Sequence, residues 1–358
     1  MTKLNHIPDD IVFSILSKLS LKSLKRFECV CKSWSLLFDN VIFMTMFRNY
    51  FISKNHSFYD DISFLLRLKN RHPFYFLSGE RFKNIVKFDW PNNYSFDILG
   101  PISFNGTLCL HYYNSKIILW NPTTTEFHII YTESSCFSKI WADKYQVGYD
   151  HVNDDYKIIR HNHCTPRSKQ HEISWEFSSF WEIYSLNNNS WRTIDDDFSH
   201  SNFTSGDKVY FDGVSHWLDK TWLVSFDFIK EFFVTTPVPS CEDDVFDFSS
   251  TRTRILTVLN GSIAFIVNYE ETGTFDILIL GEFGVEESWT KVFIVGPLPC
   301  LKIPIGIGKK GNILIRKKDN ELAWFDISTG AIDEIGVRAE SDCKISFHKE
   351  SLPPIGGI

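Results

Sequence analysis

The chain is short of several things, and each shortage removes a class of protein. It has three methionines against 33 Phe, 13 Tyr and 11 Trp, a balance that leans towards strands rather than helices. No apolar stretch reaches the ~18 residues of a membrane-spanning helix, so no membrane partner is expected. Asp9 and Asp10 fall where a secretory leader needs uninterrupted apolar residues. The expected location is therefore cytoplasmic, nuclear or both. The eight cysteines, at 29, 31, 109, 136, 164, 241, 300 and 343, then read as reduced thiols. A clustered basic excess is also missing. The formal charge is −7 over 358 residues, which argues against a nucleic-acid partner. Finally, there is no G-x-S-x-G, H-E-x-x-H or P-loop, so no catalytic residue is assigned, although a dispersed triad leaves no motif.

What is present is ample apolar material. The composition is 43% hydrophobic and 16% aromatic, too apolar for a disordered chain and long enough for two or three domains. Charge is unevenly shared: residues 1–40 carry six Lys/Arg and four Asp/Glu, so the remainder is the more acidic part.

The first 50 residues are helical in pattern. Pro8, Asp9 and Asp10 suit a helix start, and Ile11, Val12, Ile15, Leu16 and Leu19 form its apolar stripe. A second helix is predicted over 24–38, where Leu24, Phe27, Val30, Cys31, Trp34, Leu37 and Phe38 share an arc of about 120°. Cys31 lies in that arc and Cys29 about 160° away, so the pair shares neither a metal nor a bond. On physical grounds alone this segment reads as a helical cap on whatever follows.

The residues also carry a resemblance. His6-Ile7-Pro8-Asp9-Asp10-Ile11, Ile15 to Leu19, Lys22 to Phe27 and Val30-Cys31-Lys32-Ser33-Trp34 resemble an F-box in order and spacing. Ile7, Ser20, Glu28 and Val41 depart from the family pattern. The resemblance implies a three-helix module that docks to the Skp-family adaptor of SCF (Skp–cullin–F-box) ubiquitin ligases. By position it points to Ile7, Pro8, Ile11, Leu16, Val30, Cys31 and Trp34 as adaptor-binding residues. Which of these face the adaptor and which hold the helices together stays open.

Beyond residue 70 the pattern changes to short apolar runs between turn residues. Asn105-Gly106, Asp212-Gly213, Asn260-Gly261 and, more loosely, Gly311-Asn312 mark tight turns between antiparallel strands. Pairs of large residues seven apart recur across polar turns: Trp120/Phe127, Tyr184/Trp191, Phe226/Phe233 and Phe325/Ile332, with Leu280/Trp289 nine apart. Two hairpins per unit at this spacing predict an all-β propeller of about six four-stranded blades. Residues 72–99 supply a partial blade that Ile345-Ser346-Phe347 returns to complete.

The body resembles a family in its own right. WNPTTTEF, VGYDHVNDDYKII, IYSLNNNSWRTI, VSHWL, VSFDFIKEFF and EESWTKVFIVG are similar, in order, to motifs of the plant F-box-associated, kelch-like interaction domain. The organisation implied is an F-box at 3–48, a linker or connecting helix at 49–71, a substrate-recognition propeller at 72–350 and a tail at 351–358. The implied function is the substrate-recognition subunit of an SCF ligase. It would reach a cullin–RING ligase through the adaptor, hold an unidentified target protein, and perform no chemistry itself. A propeller enzyme and a scaffold whose F-box does not dock are the alternatives.

Other tempting features read blandly. Gly306 to Gly311 spells G-x-G-x-x-G, but a hairpin pattern follows where a dinucleotide site needs a helix. His161, His163, Cys164 and His171 fit no standard zinc spacing. That interrupting segment instead offers His161, His163, Arg167, Lys169 and His171 as a target-contact loop. Asp150, Asn153, Asp154 and Asp155 lack the calcium-loop pattern and read as a polar turn. No metal and no cofactor is expected.

Overall fold

The computed structural model describes residues 8–19, 21–28, 30, 34, 36–37, 39–53, 62–67, 74–78, 84–88, 96–104, 106–112, 116–122, 124–132, 140–164, 178–195, 208–219, 221–239, 252–308, 312–339, 344–349 and 355. The chain divides into two compact units. One combines residues 1–60 with 236–339, the other residues 61–235 with 340–358. No helix among the described residues is long and apolar enough to cross a membrane.

The first unit opens with helices α1 (Asp9–Leu16), α2 (Leu21–Glu28) and α3 (Val41–Ser53). Pro8 precedes α1 and its carbonyl accepts the amides of Ile11 and Val12, both at 3.1 Å. Asn40 caps α3, its Oδ1 accepting the Phe43 amide at 3.0 Å. The helix expected over 24–38 is broken. It ends at Glu28, and the described residues from Val30 to Asp39 lie in turns. Val30 donates to Phe27 O at 2.9 Å and Leu37 to Trp34 O at 3.2 Å, three-residue bonds that tighten the chain. A straight helix would hold Leu24 and Leu37 about 20 Å apart. Breaking it lets both enter one core cluster. Cys29 and Cys31, on which the thiol argument rests, lie outside the described residues.

Two four-stranded antiparallel sheets complete this unit. In one, β16 (Arg252–Leu259), β17 (Ser262–Tyr269), β18 (Thr274–Leu280) and β19 (Trp289–Val295) follow in sequence order. The other takes β20 (Leu301–Ile307), β21 (Ile313–Lys317), β22 (Glu321–Phe325) and β23 (Ile332–Arg338) likewise. The helices and these sheets share one hydrophobic core. Leu16, Leu24, Leu37, Phe43, Met44 and Phe47 cluster with buried residues including Ile266, Phe275, Ile277 and Val292. Val12, Phe13, Leu19, Phe27 and Trp34 pack against its edge. Phe13 meets Phe43 edge-on at 5.7 Å and Phe27 meets Trp34 at 5.6 Å.

The second unit holds the other sheets. Strands β8 (Ile140–Asp150), β9 (Asp155–Cys164), β10 (Ser178–Ser185) and β11 (Ser190–Thr193) form one. A second contains β12 (Lys208–Phe211), β13 (Val214–Asp219), β14 (Trp222–Asp227) and β15 (Phe232–Pro237). The third has eight strands in the order β3-β2-β1-β24-β4-β5-β6-β7. These are β1 (Ile62–Arg67), β2 (Phe74–Ser78), β3 (Asn84–Phe88), β4 (Phe96–Phe104), β5 (Thr107–Tyr112), β6 (Lys116–Trp120), β7 (Phe127–Tyr131) and β24 (Lys344–Lys349). The body is thus a set of meandering four-stranded, blade-type sheets, with eight strands merged in one. Strand β24 pairs antiparallel with β1 and touches β4 at the parallel pair Phe347–Ile102. Residues 62–67, expected within the linker, are strand β1, because β24 gives them a partner. Residues 96–99, expected in the partial blade, instead open β4.

The two sequence devices behave as turn chemistry demands. Asp212 and Gly213, and Asn260 and Gly261, all have positive φ, from 47° to 82°. They join Phe211 to Val214 and Leu259 to Ser262 as directly opposed pairs. The large residues seven or nine apart face one another across the outer hairpin: Trp120–Phe127, Tyr184–Trp191, Leu280–Trp289 and Phe325–Ile332 are register partners. Phe226 and Phe233 have ring centroids 4.7 Å apart.

Candidate functional site

The helical front buries one apolar side and leaves another bare. On α1, Leu16 is buried while Ile11 is 48% and Ile15 56% exposed. These two isoleucines stand four residues apart and so share one face. Val30 is 62% exposed. Leu36, Val41 and Ile42 are exposed as well. Pro8, at the entry to α1, is exposed. A run of large apolar groups left in water at one end of a chain has the character of a protein-docking surface.

The residues anticipated for docking are thereby sorted. Pro8, Ile11 and Val30 face solvent. Leu16 belongs to the core, and Trp34 is half-buried against Phe27. Ile7 and Cys31 lie outside the described residues. Ile15, Leu36, Val41 and Ile42, not among the residues anticipated by position, are exposed as well. The spacing from Ile11 to Ile15 was the available signal, but an α1 stripe spanning both faces gave no means of dividing inside from outside.

The anticipated target-contact loop is placed differently. His161 to Cys164 are the end of β9, paired with β8 and β10. His161 is buried, its ring 4.9 Å from Trp181 and 4.6 Å from His163. The strand continues because β8 and β10 on either side supply a register partner for each residue, which the polar run HNHC concealed. Arg167, Lys169 and His171 lie outside the described residues. On the same strand Arg160 lies over Trp191 at 4.0 Å and reaches Glu182 through Nε at 2.8 Å. Asn162 donates to the same Glu182 Oε2 at 2.7 Å.

The polar turn at Asp150 contains an ion network that the sequence did not reveal. Asp150 Oδ1 accepts the amides of Val152 and Asn153 at 3.0 and 3.1 Å. Lys157 Nζ lies 2.8 Å from Asp150 Oδ2, 2.8 Å from Glu231 Oε1 and 3.0 Å from the Phe228 carbonyl oxygen. Arg192 pairs with Glu231 from the other side. Burial alone would raise the Asp150 carboxyl. The Lys157 and Asn153 hydrogen bonds outweigh it and hold the group at about 2. The Lys157 ammonium is buried too, which would lower it, yet the two carboxylates hold it above its ordinary value.

One buried pair has the outline of a nucleophile and its base. His216 Nδ1 lies 2.8 Å from Ser225 Oγ. Both side chains are buried, and burial pushes the imidazole down to about 3. Such a group is a weak base at neutral pH and has no approach for a substrate, so the pair reads as core packing. Among the described residues no cluster of three or more His, Cys, Asp or Glu is arranged to hold a metal. The Cys109 thiol is buried, which raises it and leaves it unreactive. Gly306 and Ile307 of the G-x-G-x-x-G segment end strand β20, the Gly308 amide donates to Asn312 O at 2.7 Å, and the next described element is strand β21 rather than a helix.

Comparison with known proteins gives a family for each part of the chain. A family model described as the F-box associated beta propeller domain matches residues 41–349, and one described as the F-box domain matches residues 4–45. An F-box/kelch-repeat protein of Arabidopsis thaliana is 25% identical, across 91% of this chain and 89% of its own length. F-box protein CPR1 of the same plant is 24% identical, over 96% and 87% respectively. Another Arabidopsis F-box protein is 29% identical over 53% of this chain, and the match spans half (50%) of that relative. Among solved structures, an oligogalacturonate lyase in complex with manganese covers 72% of this chain and 69% of its own at 9% identity, with a TM-score of 0.44. At that distance nothing about activity passes to this chain.

Proposed function

Since the chain belongs to the F-box-associated β-propeller family and carries an F-box ahead of that domain, we propose that it is the substrate-recognition subunit of an SCF ubiquitin ligase. The observation that carries the reading is the bare apolar face of the front helices, Ile11 and Ile15 above all, on helices whose other side is anchored in the body. A Skp-family adaptor covering that face would link the chain to a cullin–RING ligase. The sheets of the body would hold the target and bring its lysines within reach of the ubiquitin-loaded enzyme. The gain is proximity, with no bond made by this chain. On this reading the eight-stranded sheet counts as two blades meeting at β24 and β4, for about six in all. The work is done in the cytoplasm or nucleus.

The test is co-purification of the full chain with a recombinant Skp-family adaptor, beside an Ile11→Asp/Ile15→Asp variant. Both positions are exposed, so the variant is expected to keep its thermal unfolding profile and lose the adaptor. Trp34→Ala would be a poorer probe, because Trp34 also packs on Phe27. A wild-type chain that fails to retain the adaptor overturns the docking reading. Ubiquitin transfer by the purified chain alone would overturn the non-catalytic one.

A further inference from the structure

Strand β7 ends its sheet, and among the described strands it pairs only with β6. Sheet edges of this kind are commonly guarded by charge or proline. The last strand of every other run follows that rule. Strand β3 carries Lys87, β11 Arg192, β19 Lys291 and β23 Asp333 and Glu334, while β15 ends on Pro237. Strand β7, Phe-His-Ile-Ile-Tyr, has neither. Its alternate residues Phe127, Ile129 and Tyr131 share one face and are 66%, 36% and 62% exposed.

The register says which backbone groups the open edge offers. The Asn121 amide donates to Glu126 O at 2.9 Å, so residues 121 and 126 are a hydrogen-bonded pair. Bonded and non-bonded pairs alternate along an antiparallel ladder. Phe127, Ile129 and Tyr131, opposite Trp120, Ile118 and Lys116, are therefore non-bonded partners, and their N–H and C=O groups point away from β6. The Tyr131 carbonyl bears this out, since Trp191 Nε1 on β11 donates to it at 3.3 Å. Trp191 closes the edge at that end. Among the described residues no hydrogen bond reaches the edge groups of Phe127 and Ile129.

An open stretch of this length fits a second copy of itself. We infer that two chains associate through β7, antiparallel and centred on His128. In that register Phe127 exchanges backbone hydrogen bonds with Ile129 of the other copy, and the reverse. Every open group is then satisfied, and Tyr131 is left to Trp191. Phe127 also packs beside the other copy's Ile129, an aromatic–β-branched cross-strand pair. A charge near the centre of such a pair would meet its own kind, and β7 has none. The flanking Glu126 carboxylates of the two copies stand four residues apart along the ladder, about 13 Å, beyond the ~8–10 Å screening length of ordinary salt. Nothing in this pairing depends on adaptor docking. Its consequence is valency: each binding surface of the chain is presented twice, and a partner with two recognised segments is held more tightly than by one chain.

The contact is one short strand, well below the ~800 Å² per partner of a stable complex, so a reversible dimer with a Kd on the order of 10 μM is expected. Sedimentation velocity of the full chain, at concentrations spanning that value tenfold on either side, reads it directly. Wild type is expected to pass from monomer to dimer over that span. Phe127→Lys sets a lysine against the other copy's Ile129 and is expected to raise Kd about tenfold or more. Ile129→Pro removes an outward N–H while leaving the β6 side of the ladder intact, and is expected to do the same. Both should keep the wild-type unfolding temperature in dilute solution. Val152→Lys, at a position as bare as Phe127 but on another turn, is expected to dimerise like wild type. A wild type that stays monomeric across the range overturns the inference and leaves β7 to a strand from another protein. A dimer that survives Phe127→Lys overturns it as well. Should Ile129→Pro lower the unfolding temperature, Phe127→Lys decides alone, because that side chain already stands in water.

Discussion

Lys157 is held by three acceptors, and its removal would leave Asp150 without its cation. Lys157→Ala leaves the fully buried Asp150 carboxylate without its cation, and a broken buried pair costs about 3–5 kcal/mol. Urea unfolding should show the loss. Because the folded Asp150 carboxyl sits at about 2, below the ~3.9 of an unfolded aspartate, its contribution is complete above the unfolded value. It drains away as pH falls towards the folded one. His216 acts over a different window. Its folded value of about 3 lies below its ordinary 6.5, so the unfolded chain takes up a proton first. Stability is complete above about 6.5 and falls by up to ~1.4 kcal/mol per pH unit as the solution is acidified from there. The difference in urea midpoint between pH 7 and pH 5 should therefore be larger for wild type than for His216→Gln. Equal differences would remove His216 from the account.

Gly213 tests the hairpin chemistry. It sits at φ +82°, and an added Cβ would meet Ile229 Cδ1 at 3.2 Å. Gly213→Ala should cost about 1–2 kcal/mol from the left-handed backbone alone. Gly306→Ala, where an added Cβ meets nothing within 4 Å, should be close to neutral in the same thermal melts. The hairpins were legible in the sequence because a turn is local: Asp212-Gly213 and Asn260-Gly261 announce positive φ, and Trp120 and Phe127 announce opposed partners. The helix over 24–38 was misread because its break at Glu28 answers to a distant core, where Leu24 and Leu37 meet sheet residues from another part of the chain. Strand β1 was hidden for a similar reason, since its partner β24 begins at Lys344. The outward face of α1 was half legible. The Ile11–Ile15 spacing was visible, but what covers Leu16 and spares its neighbour Ile15 is decided by the sheets, which no local pattern describes.

Each of the two units is assembled from separated segments of chain, and each depends on its later piece. Strand β24 lies between β1 and β4, so a chain ending at residue 339 would leave two unpaired strand edges in the 61–235 unit. It should aggregate on expression where the full chain does not, as size-exclusion profiles would show. The helical front depends on the other unit's later piece. Leu16, Leu24 and Phe43 find their floor on strand residues from Ile255 onward. During synthesis at roughly 5–20 residues per second those strands emerge about two hundred residues, and so about 10–40 s, after the helices themselves. On the proposed docking, ribosome-stalled chains ending near residue 235 should therefore fail to capture the adaptor that complete chains are expected to hold. The end of the chain made first is finished late, and on the proposed function a messenger cut short would yield no half-built receptor able to occupy a ligase.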